Sequence, residues 1–289
     1  MAEALSELLP NSRRLSKHIL RPNETMLKEP RMPLRSLVRR SLEGMPGGRR
    51  FVAAYRAWNG TNGPKPLPYY HPDALREEWR RGYGASEPFH QVLGSMGHEA
   101  WPPKMDRYMV LDGLLRSALA LPGDLAECGV YKGGTARLIA GTRTASGVRK
   151  RLFLLDTFKG MPEPTAGLDS TWRAGDLGDV DIEEVKQFLV DLPDIVFLPG
   201  LFSDTLLQLA ESKFCFVHVD ADLYTSVREC CEFFWPRMVN GGVVVFDDYG
   251  FPNCPGAKKA IDEYFARIAE KPVYLPTAQA FAVKHSTNG

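Results

Sequence analysis

Cysteine and long apolar stretches are both scarce in this sequence of 289 residues. Its five cysteines contain no C-x-x-C pair and no spacing typical of a disulfide framework. An odd number of cysteines, some of them in apolar surroundings, favours reduced thiols and a cytoplasmic protein. No apolar run approaches the roughly 20 residues that a membrane helix requires. The first residues also lack the basic and then apolar order of a secretory signal.

Net charge is equally scarce, because 36 basic residues balance 35 acidic ones. A formal charge of +1 gives the chain no general attraction to nucleic acid or to a membrane, so we expect neither partner. The balance is uneven, since residues 1–56 carry twelve Lys or Arg and five Asp or Glu, which gives +7. A solvated Arg-rich helical face explains this excess most simply, and an anionic partner or substrate is the alternative.

Clear periodicity is missing from residues 1–105, which are rich in Arg, Pro, Gly and aromatic residues. We predict short helices over 34–42 and 49–58, and a loop over 59–73, where turn residues are dense. The segment is interpreted as an N-terminal extension that serves as a lid, a dimerisation arm or a partly disordered tail. We expect the protein to form a homo-oligomer. Residues 106–289 are predicted to form the main domain.

From residue 106 onwards, short apolar runs alternate with helical patterns. The first helix is predicted over 106–121. Strands are predicted over 124–129, 151–156, 194–199, 214–220, 241–247, 272–275 and 279–284. Helices are predicted over 134–144, 182–191, 203–211, 223–237 and 256–269. Apolar runs without alternation are typical of parallel strands buried on both faces, so the fold class is α/β.

The last two predicted strands are separated only by Pro276, Thr277 and Ala278. A connection this short cannot hold a crossover helix, so these strands must form an antiparallel hairpin. The sequence therefore predicts a seven-stranded, mostly parallel, Rossmann-like sheet that ends in an antiparallel hairpin. A plain dinucleotide-binding sheet would instead end with another parallel strand.

Ligands of such sheets bind beyond the carboxyl ends of the strands, and the first such end reads ECGVYKGGTARL. Gly129, Gly133 and Gly134 permit a tight turn close to a ligand, and Thr135 opens a helix. Glu127 at the strand end can accept hydrogen bonds from an amino group, which suits the methionine end of S-adenosylmethionine. A pyrophosphate would require a G-x-G-x-x-G turn, which is absent. A structural glycine-rich turn is an equally good explanation of this motif alone.

Asp156 ends the next predicted strand, in LFLLDTFKGMP, about 27 residues after the Gly-rich turn. An acidic residue at this place typically binds ribose hydroxyls. A turn-capping Asp is the simpler alternative, but its order after the first motif favours the ribose interpretation.

Paired acidic residues follow the next two strand ends, in HVDADLY and VFDDYG. If the chain stays extended, Asp220 and Asp222 point to the same face of their strand. Asp247 and Asp248 end the neighbouring predicted strand. Four converging carboxylates repel one another, so a bound cation is the simplest explanation. Oxygen ligands favour Mg²⁺, Mn²⁺ or Ca²⁺ over zinc. Any single one of these residues could instead cap a helix or pair with Arg.

Residues 106–284 resemble the macrocin O-methyltransferase family through ECGVYKGG, LLDTFKGMP, HVDADLY and VFDDYGFPNCPGAKKAIDEY. The resemblance implies a class I methyltransferase fold and a metal-dependent O-methyltransferase that acts on a sugar or phenolic hydroxyl in natural-product biosynthesis. The sequence departs from the usual family pattern at Ala221 and Ser203.

The same resemblance implies roles for single residues. It implies Asp220, Asp247 and Asp248 as metal ligands and Asp222 as the general base. The implied cofactor-binding residues are Glu127, Gly129, Tyr131, Gly133, Thr135, Asp156 and Phe158.

Two further sequence features bear on the site. His218 shares a strand face with Asp220, and we interpret it as a core histidine with a hydrogen-bond partner; contact with the metal site or the substrate is the alternative. The long connection 157–181 is predicted to be a lid that contributes to the acceptor site. Two alternative functions stay open: a metal-dependent hydrolase or phosphotransferase, which would need basic residues such as Arg228 or Arg237 near the acids, and a non-catalytic partner protein on the same fold.

Overall fold

The computed structural model describes residues 105–285, together with Gln91 and Ser95. The helices in this range are α1 Met105–Ala118, α2 Gly134–Ala145, α3 Ile182–Phe188, α4 Phe202–Thr205, α5 Tyr224–Phe234 and α6 Pro255–Phe265. The strands are β1 Asp124–Cys128, β2 Leu152–Asp156, β3 Ile195–Pro199, β4 Phe214–Val219, β5 Met238–Phe246, β6 Val273–Tyr274 and β7 Ala280–Val283. Short 3₁₀ turns, Leu206–Leu209 and Trp235–Arg237, follow α4 and α5.

The seven strands form one sheet in the order β3-β2-β1-β4-β5-β7-β6. Strands β1 to β5 pair in parallel, whereas β7 is antiparallel to both β5 and β6. The predicted fold class, with its mostly parallel sheet and terminal hairpin, is confirmed. The order reverses at β1, which has β2 on one side and β4 on the other, and this is where open α/β sheets place their ligands.

Helices cover both faces of the sheet because alternate strand residues point to opposite sides. Leu125, Leu154 and Val245 pack in the core that includes residues of α1, α2 and α3. Ala126 and Leu155 pack in the second core, which includes residues of α5 and α6. This double burial explains why the strands read as unbroken apolar runs.

The element boundaries differ from the sequence predictions at a few points. Strand β5 begins at Met238, three residues earlier than predicted, because Met238 pairs with Phe214 before a register shift. The predicted helix over 203–211 is instead one α-helical turn followed by a 3₁₀ turn. Strand β4 ends at Val219, so Asp220 begins the following turn.

The helices predicted over 34–42 and 49–58 and the loop predicted over 59–73 lie outside the described residues. The division of the chain into 1–105 and 106–289 therefore stays a prediction. Among the helices of the described part, none is both long and apolar enough to cross a membrane.

Candidate active site

A cavity of about 890 Å³ opens at the carboxyl ends of the strands. Its wall combines the turn after β1, the end of β2, the loop after β2, the turn after β4 and the segment after β5. Of the predicted site residues, the wall includes Gly129, Tyr131, Thr135, Asp156, Asp220, Asp222 and Asp248. Glu127, Gly133, Phe158 and Asp247 are buried and are not among the described residues that line the cavity. The volume is within the range of small-molecule sites.

The Gly-rich turn at one end of the cavity is held by Asp156. One carboxylate oxygen of Asp156 accepts hydrogen bonds from the amides of Val130 (2.7 Å) and Tyr131 (3.0 Å). The other accepts the amide of Phe158 at 2.8 Å. Asp156 thus shapes the turn in addition to lining the cavity, and its ribose-binding role stays a prediction.

Glu127 and His218 form a buried pair beneath the cavity, on adjacent positions of β1 and β4. His218 Nδ1 lies 2.9 Å from Glu127 Oε1, and both side chains are fully buried. Burial raises the pKa of Glu127 to about 7, although the hydrogen bond to His218 opposes the rise. Among the described residues, Glu127 Oε2 has no hydrogen-bond partner. The prediction that His218 is a core histidine with a hydrogen-bond partner is confirmed for its Nδ1 atom.

The four aspartates separate into two neighbouring groups. In the described part of the chain, ligand atoms of His218, Asp220 and Asp247 lie within 4.8 Å of one another, and those of Asp222, Asp248 and Cys254 form a second such group. The extended geometry considered for Asp220 and Asp222 is not found. Asp222 has a left-handed backbone (φ 54°), because the chain must turn between the end of β4 and the start of α5.

Arg107 of α1 reaches into this acidic cluster. Its guanidinium forms an ion pair with Asp247, and its Nη2 donates to the Asp247 carbonyl oxygen at 3.3 Å. Gln279 donates to Asp247 Oδ1 at 2.7 Å. Among the described residues no cation forms an ion pair with Asp248, and burial raises the pKa of Asp248 well above its usual range. The charges of Asp222 and Asp220 raise it further, whereas Arg107 lowers it.

Cys254 is buried beside Asp222, at the start of α6. Its thiol donates to Asp222 Oδ1 at 3.2 Å. Burial raises the pKa of this thiol, as do the neighbouring charges of Asp248 and Asp222, so it stays protonated and acts as a donor. The contact gives the Asp222 carboxylate a defined direction.

The loop 157–181 is packed against the site by a buried carboxylate, Asp169. This residue is 1% exposed and accepts hydrogen bonds from the amides of Thr165 (2.9 Å) and Tyr224 (3.1 and 3.2 Å). The loop contributes Met161, Glu163 and Trp172 to the cavity wall. That it opens and closes as a lid stays a prediction.

The donor set fits both groups that the sequence implies. Glu127 Oε2 is a buried acceptor that receives no hydrogen bond from the described residues. An amino group of a bound cofactor would supply the missing donor. Burial raises the pKa of Asp248, and the charges of Asp222 and Asp220 raise it further; a divalent cation would stabilise the ionised carboxylate against both effects. Sequence patterns had not indicated Arg107, Asp169, Cys254 or Gln279. No motif spacing assigns a role to these four residues, because each one meets its partner only through the tertiary fold.

Comparison of the sequence with known proteins identifies the family of this chain. The model of the macrocin O-methyltransferase (TylF) family matches residues 111–273. The demethyldecarbamoylnovobiocin O-methyltransferase of Streptomyces niveus is 36% identical over 161 residues, which cover 51% of this chain and 60% of that protein. The 8-demethyl-8-(2,3-dimethoxy-alpha-L-rhamnosyl)-tetracenomycin-C 4'-O-methyltransferase of Streptomyces olivaceus is 33% identical over 159 residues, covering 51% and 59% of the two chains. The chain thus spans about 60% of the length of these two relatives.

Solved structures give the same result at the level of the fold. The O-methyltransferase NovP superposes with a TM-score of 0.56 at 30% identity, covering 62% of this chain and 80% of NovP. The calicheamicin methyltransferase CalS11 gives 0.57 at 19% identity, covering 70% and 93%, and supports the fold alone. Because the family model matches more than half of the chain, including the turn after β1, the end of β2 and the paired-aspartate segments, the chain belongs to the macrocin O-methyltransferase family.

Proposed function

We propose that this protein is an S-adenosylmethionine- and Mg²⁺- or Mn²⁺-dependent O-methyltransferase in natural-product biosynthesis. Its acceptor would be a small molecule with a sugar or phenolic hydroxyl. The observation that carries the proposal is one cavity with the Gly-rich turn and Asp156 at one end and Asp220, Asp222 and Asp248 on the same wall. The names of the relatives, which describe O-methylation of antibiotic intermediates, support it. Five free, buried cysteines support a cytoplasmic location.

In this proposal, one end of the cavity binds the cofactor and the other end binds the cation. When bound, the cofactor supplies an electrophilic methyl group and the cation lowers the pKa of the acceptor hydroxyl. Gly129, Tyr131, Thr135 and Asp156 would bind the cofactor at the cavity wall, and Glu127 would accept a hydrogen bond from its amino group through Oε2. Gly133 and Phe158 would complete this cofactor-binding end. Asp220, Asp247 and Asp248 would hold the cation.

Asp222 would receive the hydroxyl proton as the acceptor oxygen takes the methyl group, whose bonding pair stays on the departing thioether sulfur. Cys254 orients the Asp222 carboxylate by its hydrogen bond. An ordinary aspartate is a weak base, so it depends on the cation to lower the hydroxyl pKa. Holding both reactants in one cavity reduces the barrier further by fixing their orientation.

The phosphotransferase alternative lacks support in the described part of the cavity. Its two basic wall residues, Arg107 and Lys132, are paired with Asp247 and Asp179. Arg228 lies near Glu232, and Arg237 donates to backbone carbonyls. A phosphate group would meet mostly carboxylates at this wall.

Calorimetric titration with S-adenosylmethionine, with and without Mg²⁺, tests the proposal, followed by methyl transfer to a panel of glycosides, vicinal diols and phenols. We expect Asp222→Asn to bind the cofactor and Mn²⁺ within a few-fold of the wild type but to lose at least about 100-fold in kcat. Asp204→Asn, on the exposed face of α4, is the matched control and should keep full turnover.

Absence of cofactor binding would exclude the methyltransferase function. Cofactor binding without transfer to any acceptor would favour the non-catalytic partner protein. Full activity of Asp222→Asn would remove that residue from the role of base.

A further inference from the structure

Arg107 contacts one of the proposed metal ligands, Asp247. Arg107 lines the cavity, whereas Asp247 is 5% exposed and is not among the described lining residues. The guanidinium contacts Asp247 in three ways: an ion pair with the carboxylate, a 3.3 Å hydrogen bond from Nε to Oδ1, and a 3.3 Å hydrogen bond from Nη2 to the carbonyl oxygen. It also lies 4.6 Å from the centre of the Phe251 ring, which gives it an aromatic contact outside the acidic cluster.

Two buried residues, Gln279 and His218, also contact the Asp247 carboxylate. Fully buried Gln279 donates to Oδ1 at 2.7 Å. His218 Nε2 lies 3.4 Å from the same oxygen. Gln279 and His218 are fully buried, so among the described side chains that contact Asp247, Arg107 is the one that lines the cavity.

We propose that Arg107 competes with the divalent cation for Asp247, so that the guanidinium and the metal hold this carboxylate in turn. This inference rests on the proposed metal site. A carboxylate oxygen that accepts a charged hydrogen bond is less available to a metal, and two cations on one carboxylate repel each other. Displacement would let the guanidinium withdraw along the Phe251 ring towards the cavity. Arg107 would thereby set the affinity of the site for its metal.

Titration of the full-length protein with Mn²⁺ tests the competition without any turnover. Free Mn²⁺ is followed by electron paramagnetic resonance, and the heat of binding by calorimetry. We expect Arg107→Gln to bind Mn²⁺ on the order of tenfold more tightly than the wild type, because the positive charge and its charge-assisted hydrogen bonds to Asp247 are lost. Arg107→Lys, which keeps the charge but loses the forked donor geometry, should fall between them.

Arg151→Gln is the matched control. Arg151 forms an exposed ion pair with Asp124 at the amino end of β1, away from the carboxyl ends that form the cavity. The Arg151→Gln substitution removes the same charge as Arg107→Gln but at a distance from the cavity. The Mn²⁺ affinity of this variant should therefore equal that of the wild type.

Thermal unfolding supplies a second measurement. Without added metal, Arg107→Gln should melt at a lower temperature than the wild type, since Asp247 loses its charged partner. Saturating Mn²⁺ should raise the Tm of the variant more than that of the wild type, because the stabilisation by a ligand grows with its affinity.

Two kinds of failure are separable. If Mn²⁺ binding requires Asp248 but Arg107→Gln binds Mn²⁺ equally or more weakly, the competition is wrong and the metal site stands. If Asp220→Asn and Asp248→Asn leave Mn²⁺ binding unchanged, or if neither the wild type nor Arg107→Gln binds it, the metal site itself is wrong. Binding by Arg107→Gln alone would support the competition.

Discussion

Gly129 shows how a single residue joins the two halves of the site. Its backbone has a left-handed φ of 86°, and a Cβ at this position would lie 1.7 Å from the carbonyl oxygen of Asp220. The turn after β1 and the turn after β4 therefore touch backbone to backbone, which only glycine allows. This contact links the proposed cofactor-binding end of the cavity to the proposed metal-binding end.

At this scale we predict that Gly129→Ala lowers the free energy of unfolding by about 3 kcal/mol or more, because backbone atoms must move apart. Urea denaturation measures the loss. Gly147→Ala is the control: it has φ 67° but nothing within 4 Å of the new Cβ, so only about 1 kcal/mol of backbone strain is expected. Equal losses in the two variants would show that the close contact with Asp220 is unimportant.

At the scale of elements, the loop 157–181 is joined to the start of helix α5 by hydrogen bonds. Asp169 accepts the amide of Tyr224, the first residue of α5, and so replaces the missing side-chain cap of that helix. Since Asp222 lies two residues before Tyr224, the same contact positions the turn that carries the proposed base. The sequence predicts that this loop contributes to the acceptor site, but it does not indicate how the loop is attached.

We predict that Asp169→Ala costs about 1–2 kcal/mol of stability, the typical cost of a lost helix cap, and that it exposes the loop to proteases. Thermal unfolding and limited proteolysis, with the cleavage sites mapped, measure the two effects. Asp181→Ala, which removes the exposed cap of α3, is the comparison and should leave 157–176 protected. Cleavage at equal rates in both variants would argue against Asp169 as the attachment.

At the scale of the whole molecule, the buried Glu127 links stability to pH. Because burial raises its pKa from 4.5 to about 7, the native protein keeps a proton that the unfolded chain releases between these pH values. The free energy of unfolding contributed by this group therefore falls as the pH rises from about 4.5 to about 7, by about 3 kcal/mol in total.

We predict that Glu127→Gln removes this dependence. The difference in unfolding free energy between the variant and the wild type should grow in favour of the variant from pH 4.5 to pH 8, as measured by urea denaturation at several pH values. A difference that stays constant with pH would contradict the raised pKa of Glu127.

Local sequence pattern determined most of the architecture. Apolar runs placed the five parallel strands within a few residues, and the short connection Pro276–Thr277–Ala278 forced the terminal hairpin. Strand-end motifs also predicted which residues face the cavity at Gly129, Asp156 and Asp220. These features depend on periodicity and connection length, which are properties of neighbouring residues.

Only the tertiary structure decided which side chains meet. Arg107 pairs with Asp247 across 140 positions, and Glu127 meets His218 across 91. The turn at Asp222 separates it from Asp220, although an extended strand would have put both on one face. Strand register and helix docking set these contacts, and neither is encoded in the spacing along the chain, so the sequence predicted the acidic rim but not its internal pairing.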